Sequence, residues 1–126
     1  VFVDADGNAL MPSEMGYIEF GNSFGLALFP AELYPEVFWD DEITEGTNWD
    51  GTEWPYDSLA TAVEGVDTYA VSLTNDAIGY VLTDNNFAFM GHIIGEGIAD
   101  ETLSVGKHIG SYLVTEYLAL IESFAE

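Results

Sequence analysis

The stretch DTYAVSLTNDAIGYVL, residues 67–82, decides the fold because it carries the strongest strand signal in the chain. Its two ends are rich in the β-branched and aromatic residues that favour strands. Between them lie Asn75 and Asp76, two polar residues that interrupt the apolar pattern. The stretch therefore predicts one strand, or two strands broken near Asn75–Asp76. Its polar residues either line a site or mark an ancestral site that is now idle.

Two short apolar runs precede this stretch and are separated by the turn sequence Gly-Asn-Ser. The runs cover residues 17–20 and 25–29, and they predict a hairpin or two closely spaced strands. Pro30 ends the second run because proline cannot donate a hydrogen bond to a neighbouring strand. Residues 31–39 then predict a short helix with acidic residues near its N-terminus, where the helix dipole favours negative charge.

A long helix is predicted over residues 104–124, because apolar residues recur there at helical spacing. With an extended N-terminal segment over 1–15, the element order predicts an α/β fold. Its parts are a mixed sheet, the C-terminal helix packed on that sheet, and a long acidic loop rich in Trp. At 126 residues the chain is expected to form a single domain, 1–126.

The predicted loop covers residues 36–57 and holds eight of the 23 acidic residues together with all three tryptophans. Loops of this length are usually functional or disordered. Three interpretations stay open: a loop folded over its own domain, an acidic cation site, and a contact surface. In the last case Trp39, Trp49 and Trp54 would bind another chain, since exposed aromatic side chains are favoured interface anchors.

The charge of the chain is extreme, with 23 acidic residues against a single basic one, Lys107, and a net charge of −22. This composition excludes nucleic acid and anionic membranes as partners, because both are bound through clustered Lys and Arg. Repulsion among the carboxylates should be relieved by salt or by bound cations. A basic or cationic partner is compatible with the charge, and the absence of Cys excludes disulfides and thiolate metal sites.

The expected location is extracellular or at the cell surface, since the chain is acidic and poor in Lys. No apolar run reaches the roughly 18 residues needed to span a bilayer. The chain begins at Val1 rather than Met, which favours processing of a longer precursor.

Two metal sites are considered from the residues themselves. The spacing Asp4-x-Asp6-x-Asn8 is that of the start of a calcium loop, although Met15 stands where an EF-hand has Glu, and a simple turn is the alternative. A zinc site built on His92 and His108 is the second candidate, against ordinary loop and helix positions for both. With these two histidines and no nucleophile-elbow motif, the sequence predicts no self-contained serine triad.

Asn75 and Tyr80 are candidates for a cleft beside Glu32, because an amide and a phenol near one strand end would present polar groups there. The alternative is a structural Asx turn with a half-buried tyrosine.

Three segments together resemble the later part of the catalytic domain of the neutral/alkaline ceramidase family, including its bacterial relatives of unknown substrate. They are LALFPAELYPEV (26–37), VSLTNDAIGYVLTDNNF (71–87) and DETLSVGKHIGSYLVTEYLALI (100–121). The similarity covers about residues 18–124, interrupted by the Trp-rich segment.

The resemblance implies a zinc-dependent amidase in which Glu32 is a metal ligand and a tyrosine of the Asn-containing strand is another. Here Ala77 occupies the slot of that tyrosine, which leaves Tyr80 as its substitute, and Ala99-Asp100 stands where the family has Tyr-Glu. The histidine ligands of the family belong to an earlier half that this sequence lacks. The resemblance therefore implies a domain that is not catalytic by itself.

The sequence leads to a secreted acidic domain of ceramidase-like ancestry that acts as a binding or self-assembling structural subunit. Its partners would be itself or another protein chain, contacted through the Trp-rich loop and through strand addition by residues 1–10. One alternative is a processed fragment that completes a zinc amidase with another chain. Another is a small carbohydrate- or peptide-binding module, and calcium and zinc are the candidate cofactors.

Overall fold

The computed structural model describes residues 2–7, 9–39, 51–87 and 100–124. Asn8, Trp49 and His92, which the sequence marks as candidates, lie outside these ranges, as does the centre of the predicted acidic loop. Within them the strands are β1 (Phe2–Val3), β2 (Ala9–Leu10), β3 (Gly16–Phe20), β4 (Phe24–Leu28), β5 (Glu32–Leu33), β6 (Asp67–Val71) and β7 (Tyr80–Val81). The helices are α1 (Pro35–Trp39) and α2 (Ile109–Ser123), with 3₁₀ turns at Leu59–Thr61, Asp84–Asn86 and Asp100–Leu103.

The α/β class predicted from the sequence is confirmed, with a mixed sheet and a C-terminal helix. β3 and β4 form the expected antiparallel hairpin, in which Ile18 faces Leu26. β6 pairs in parallel with β4 and places Tyr69 opposite Leu26. Two further two-stranded sheets join β1 to β2 and β5 to β7. The stretch 67–82 is thus two strands, as the second interpretation of its pattern predicts.

The hydrophobic core lies between the three-stranded sheet and α2. Phe29 is its centre, since it is fully buried with its ring 5.3 Å from that of Tyr117 and 6.2 Å from that of Phe38. Burying side chains of this size contributes about 1.5–3 kcal/mol each, so these contacts fix the position of α2 on the sheet. The other large members of the core are Val37, Leu59, Val81, Leu113 and Val114.

Both helices begin later than the sequence pattern predicts. Glu32 lies in β5 rather than in a helix, because Pro35 disfavours the helical conformation at the preceding residue and then starts α1 itself. α2 begins at Ile109 rather than near residue 104, because a 3₁₀ turn and Gly106, with φ of 144°, come first. The predicted loop 36–57 accordingly starts with helical residues. Among the described helices, none is long and apolar enough to cross a bilayer.

Candidate functional site at the Glu32 edge

Glu32 lies at the edge of the parallel pair β5–β7, directly opposite Tyr80 in the strand register. The Glu32 N–H donates to the carbonyl oxygen of Gly79 at 3.0 Å, and the Tyr34 N–H donates to that of Val81 at 3.0 Å. We call the surface formed by β5, β7 and residues 72–79 the Glu32 edge. It brings together two segments that are remote in sequence.

The turn over residues 72–79 is held against the chain between β4 and β5 through three consecutive carbonyl groups. The oxygen of Phe29 accepts from the N–H of Thr74 at 3.0 Å, and also from its hydroxyl at 3.0 Å. The oxygen of Pro30 accepts from the N–H of Ile78 at 2.9 Å. The oxygen of Ala31 accepts from the N–H of Leu73 at 3.1 Å. The backbone beside Glu32 is therefore fixed on both sides.

The polar side chains of this turn connect it to the N-terminal segment. Asp76 accepts a hydrogen bond from the hydroxyl of Ser13 at 2.9 Å. The side-chain amide of Asn75 lies 3.5 Å from the carboxylate of Glu14. Asn75 also takes the left-handed conformation, with φ of 67°, which Asn tolerates better than most residues. These contacts give Asn75 a structural role, and its place in a cleft beside Glu32 stays a prediction.

A third segment, the 3₁₀ turn Asp100–Leu103, contacts β7 at the same edge. The hydroxyl of Tyr34 donates to the carboxylate of Asp100. The ring of Tyr34 also stands edge-on to that of Tyr80, with their centres 6.2 Å apart. Gly79 has φ of 104° and lies so close to the carbonyl oxygen of Leu103 that a Cβ there would collide with it. The three segments that carry the family resemblance thus meet in space.

The Glu32 edge offers an exposed carboxylate next to a half-buried tyrosine. A catalytic zinc needs about three protein ligands and an open position. Within the described residues, no group of three or more His, Cys, Asp and Glu side chains could hold one metal ion. The described residues therefore do not fit a zinc centre by themselves. At this edge, the exposed carboxylate of Glu32 is the group that could serve as one metal ligand.

The two tryptophans among the described residues contact different aromatic rings. Trp39 has 47% of its surface exposed and stands edge-on to Phe38, 5.1 Å between ring centres. Trp54 is half-buried against the core and lies 4.8 Å from Tyr56 by the same measure. A role for Trp39 and Trp54 in binding stays a prediction.

The N-terminal turn is formed by local hydrogen bonds. The N–H of Asp6 donates to the Asp4 carboxylate at 2.9 Å, and that of Gly7 donates to the Asp4 carbonyl at 3.2 Å. These bonds form a turn over Asp4–Gly7, the described part of the predicted DADGN turn. The calcium interpretation, which also needs Asn8, stays a prediction.

A hydrogen-bonded cluster joins Asp84, His108 and Ser111. No local sequence motif predicts it. One carboxylate oxygen of Asp84 accepts from the Ser111 hydroxyl at 2.8 Å and lies 2.7 Å from His108 Nδ1. The other oxygen accepts from the Ser111 backbone N–H at 3.0 Å. The Ser111 hydroxyl donates to Asp84 and to the backbone oxygen of His108, at 2.8 Å and 3.2 Å, rather than to the His108 ring, so the cluster lacks the order of a catalytic triad. It caps the first turn of α2, where backbone N–H groups lack helical partners.

Three buried polar atoms near Asp84 and in α2 have no hydrogen-bond partner among the described residues: Thr83 Oγ1, Asn85 Oδ1 and Tyr117 Oη. The side-chain NH₂ of Asn85, by contrast, donates to the carbonyl oxygen of Thr52 at 2.8 Å. Burial raises the pKa of Tyr117 well above its ordinary value, and the nearby phenol of Tyr17 adds to the shift. Tyr117 thus stays neutral across the physiological range.

Comparisons with protein-family models, with curated proteins and with solved structures found no match to this chain.

Proposed function

We propose that this domain contributes one face of a ceramidase-like amide-hydrolase site and does not hydrolyse amides by itself. In this proposal Glu32 is the metal-ligand residue, and Asn75 and Tyr80 line the substrate cleft. The single observation that carries it is the convergence of the three resembling segments at the Glu32 edge. β5 and β7 pair with Glu32 opposite Tyr80. The segment that starts at Asp100 packs against β7, and Asp100 accepts a hydrogen bond from Tyr34, the residue that follows β5.

The local geometry supports this role because it holds the backbone of Glu32 without using its carboxylate. The main-chain bonds to Gly79 and the bonds on the carbonyls of residues 29–31 position the residue. Its side chain remains exposed. A carboxylate that is fixed at the backbone and open at its oxygens is suited to act as one ligand of a shared metal.

The remaining metal ligands must come from outside the described residues, because these hold no group of three suitable side chains. Zinc bound in such a shared site would act as a Lewis acid towards the amide carbonyl. The domain would then work together with a second domain or a second chain that supplies histidines. Its secreted location and its role as a subunit are parts of the same proposal.

The test compares the recombinant domain with the protein purified from its natural source, together with whatever chains accompany it. Zinc is measured by mass spectrometry and activity by hydrolysis of a long-chain fatty-acyl amide. We expect neither stoichiometric zinc nor hydrolysis in the isolated domain, and both in the natural material. Hydrolysis at enzymatic rates by the isolated domain would overturn the proposal.

Two matched variants, introduced at the gene, separate the Glu32 role from general acidity. Glu32→Gln should remove at least about 90% of the hydrolysis by the natural material and lower its zinc content, because a ligating carboxylate becomes a neutral amide. Glu64→Gln removes the same charge from another exposed position and should change neither. Equal loss in both variants would show that Glu32 has no special role.

A further inference from the structure

An apolar groove of about 500 Å³ lies between residues 9–15 and the first half of α2. We call it the α2 groove. Buried and half-buried side chains from both walls form its floor, and the turn of the Glu32 edge adds Ile78. The other floor residues are Met15, Pro30, Ile109 and Leu113.

The upper walls of the α2 groove are apolar and exposed. Met11 has 53% of its surface exposed, Val105 56% and Tyr112 59%. Isolated exposed apolar side chains are ordinary, whereas several of them lining one concavity are typical of an interaction site. Met and Tyr are also among the residues enriched at interfaces. The groove therefore has the form and composition of a surface that binds an apolar group.

The rim of the α2 groove is acidic and determines what kind of group fits. Glu14 and Glu116 line it, both exposed. A second copy of this chain would bring a net charge of −22 and a single basic residue, Lys107. It therefore offers almost no positive charge to pair with the carboxylates of this rim. A partner segment with positive charges would instead be steered towards the groove by the field of the whole domain.

We propose that the α2 groove docks a segment of a partner protein in which Lys or Arg side chains flank apolar ones. The apolar side chains would enter between Met11, Val105 and Tyr112, and the basic ones would meet Glu14 and Glu116. This inference rests on the groove alone and is independent of the role of Glu32.

The probe is a fluorescent synthetic peptide with the repeat Leu-Lys-Lys-Leu, measured by fluorescence anisotropy at physiological salt. A second peptide replaces every Leu by Ser and keeps the charge. Since the apolar side chains would lose their contacts, the Leu peptide should bind at least about ten-fold more tightly than the Ser peptide. Equal affinities of the two peptides would mean that binding depends only on their net positive charge, and this result would overturn the proposal.

Variants of the domain locate the binding. Val105→Asp should weaken binding of the Leu peptide about ten-fold, although it adds a negative charge that attracts the peptide. Val3→Asp makes the same change at a residue with 68% of its surface exposed that does not line the groove, and it should leave the affinity within about two-fold. Equal effects of the two would contradict the location.

The rim is tested by two variants on the same helix. Glu116→Gln should weaken binding roughly two- to five-fold, which is the usual range for an exposed ion pair. Glu122→Gln lies outside the groove on an exposed position and should have no such effect. If neither peptide binds and Val105→Asp instead dissociates a dimer of the domain, the groove is a contact between copies of this chain and the proposal is wrong.

Discussion

The Glu32 edge and the N-terminal hairpin, β1–β2, are both built from two-residue strands, yet they are held in different ways. In the hairpin, all four strand residues are exposed, and the turn is closed by bonds within residues 4–7. At the Glu32 edge, the carbonyl groups of residues 29–31 are bonded by residues 73–78, and β7 packs into the core through Val81. Long-range bonds and burial, rather than strand length, distinguish the two strand pairs.

The backbone conformation at the Glu32 edge depends on these long-range hydrogen bonds. Leu73 has φ of 57°, which is unfavourable for a residue with a branched side chain and no local hydrogen-bonding group. Such a conformation persists where surrounding contacts determine it more strongly than the residue's own preference. The N–H of Leu73 is bonded to the Ala31 carbonyl, which supplies such a contact. In the proposed function, this support would help to position Glu32.

The largest expected effect comes from Gly79→Ala, which tests the close approach at the Glu32 edge. The new Cβ would collide with the carbonyl oxygen of Leu103, and the φ of 104° adds strain for any residue with a side chain. Overpacking and the backbone conformation together should lower the free energy of unfolding by about 3 kcal/mol or more. Urea unfolding followed by circular dichroism measures the change.

Gly7→Ala is the matched control in the N-terminal hairpin. Gly7 also has a positive φ, 87°, but a Cβ there meets open space. The expected loss is about 1–2 kcal/mol from the backbone conformation alone, and less if the hairpin adjusts. Equal losses for the two variants would break the distinction between a packed edge and an open hairpin.

The sequence predicts much of the fold but not this edge. The runs at 17–20 and 25–29 are long enough to show strand composition, and they form the expected hairpin. β5 and β7 have two residues each, too few to display a period of two, and their parallel pairing is set by bonds from residues 73–78. The resemblance to ceramidases grouped the segments by family likeness, whereas periodicity alone gave no reason to join them.

A second test concerns the hydrogen bonds from Ser111 in α2 to Asp84, which follows β7. In the β1–β2 hairpin, by contrast, the described turn is closed by bonds within residues 4–7. Asp84→Asn keeps the shape of the side chain but replaces one accepting oxygen by an NH₂ group and removes the charge near the N-terminus of α2. We expect a loss of about 1–2 kcal/mol in the free energy of unfolding, because a helix cap and its charge–dipole interaction are weakened together. Chemical unfolding of the variant measures it.

Asp57→Asn is the control, since Asp57 is an exposed acid outside any helix. Removing one negative charge from a domain at −22 should slightly stabilise it or leave it unchanged. A loss in Asp57→Asn as large as that in Asp84→Asn would mean that Asp84 acts through net charge rather than as a cap.

The cap of α2, like the pairing of β5 with β7, depends on contacts between residues that are remote in sequence. The predicted apolar face of α2 is buried at Leu113 and Tyr117, whereas Phe124, at the end of that face, has 62% of its surface exposed. The sequence does not predict this cap, because sequence signals for a cap lie next to the helix, whereas Asp84 lies 27 positions before Ser111. Within the candidate site, Glu32 and Tyr80 were predicted as neighbours, while the Tyr34–Asp100 bond left no local signal.

The smallest expected effect is that of Tyr117→Phe, and Tyr34→Phe is its comparison. Tyr34 is half-buried and bonded at the Glu32 edge, whereas Tyr117 is fully buried in the core with no hydrogen-bond partner for its hydroxyl among the described residues. Tyr34→Phe removes the bond to Asp100 and should cost about 1–2 kcal/mol. Tyr117→Phe removes a buried hydroxyl that has no partner among the described residues, so stability at neutral pH should stay the same or rise by up to about 1 kcal/mol.

The two variants should also differ in their response to alkali. Because burial raises the pKa of Tyr117 in the folded state, the unfolded chain releases this proton first, above about pH 10, and stability then falls as the pH rises. Tyr117→Phe should flatten this fall, and Tyr34→Phe should leave it unchanged. Unfolding free energies measured between neutral pH and about pH 11 decide the matter. An unchanged alkaline slope in Tyr117→Phe would mean that the phenol is hydrated in the folded protein, and that the core beneath α2 is more open than the Glu32 edge.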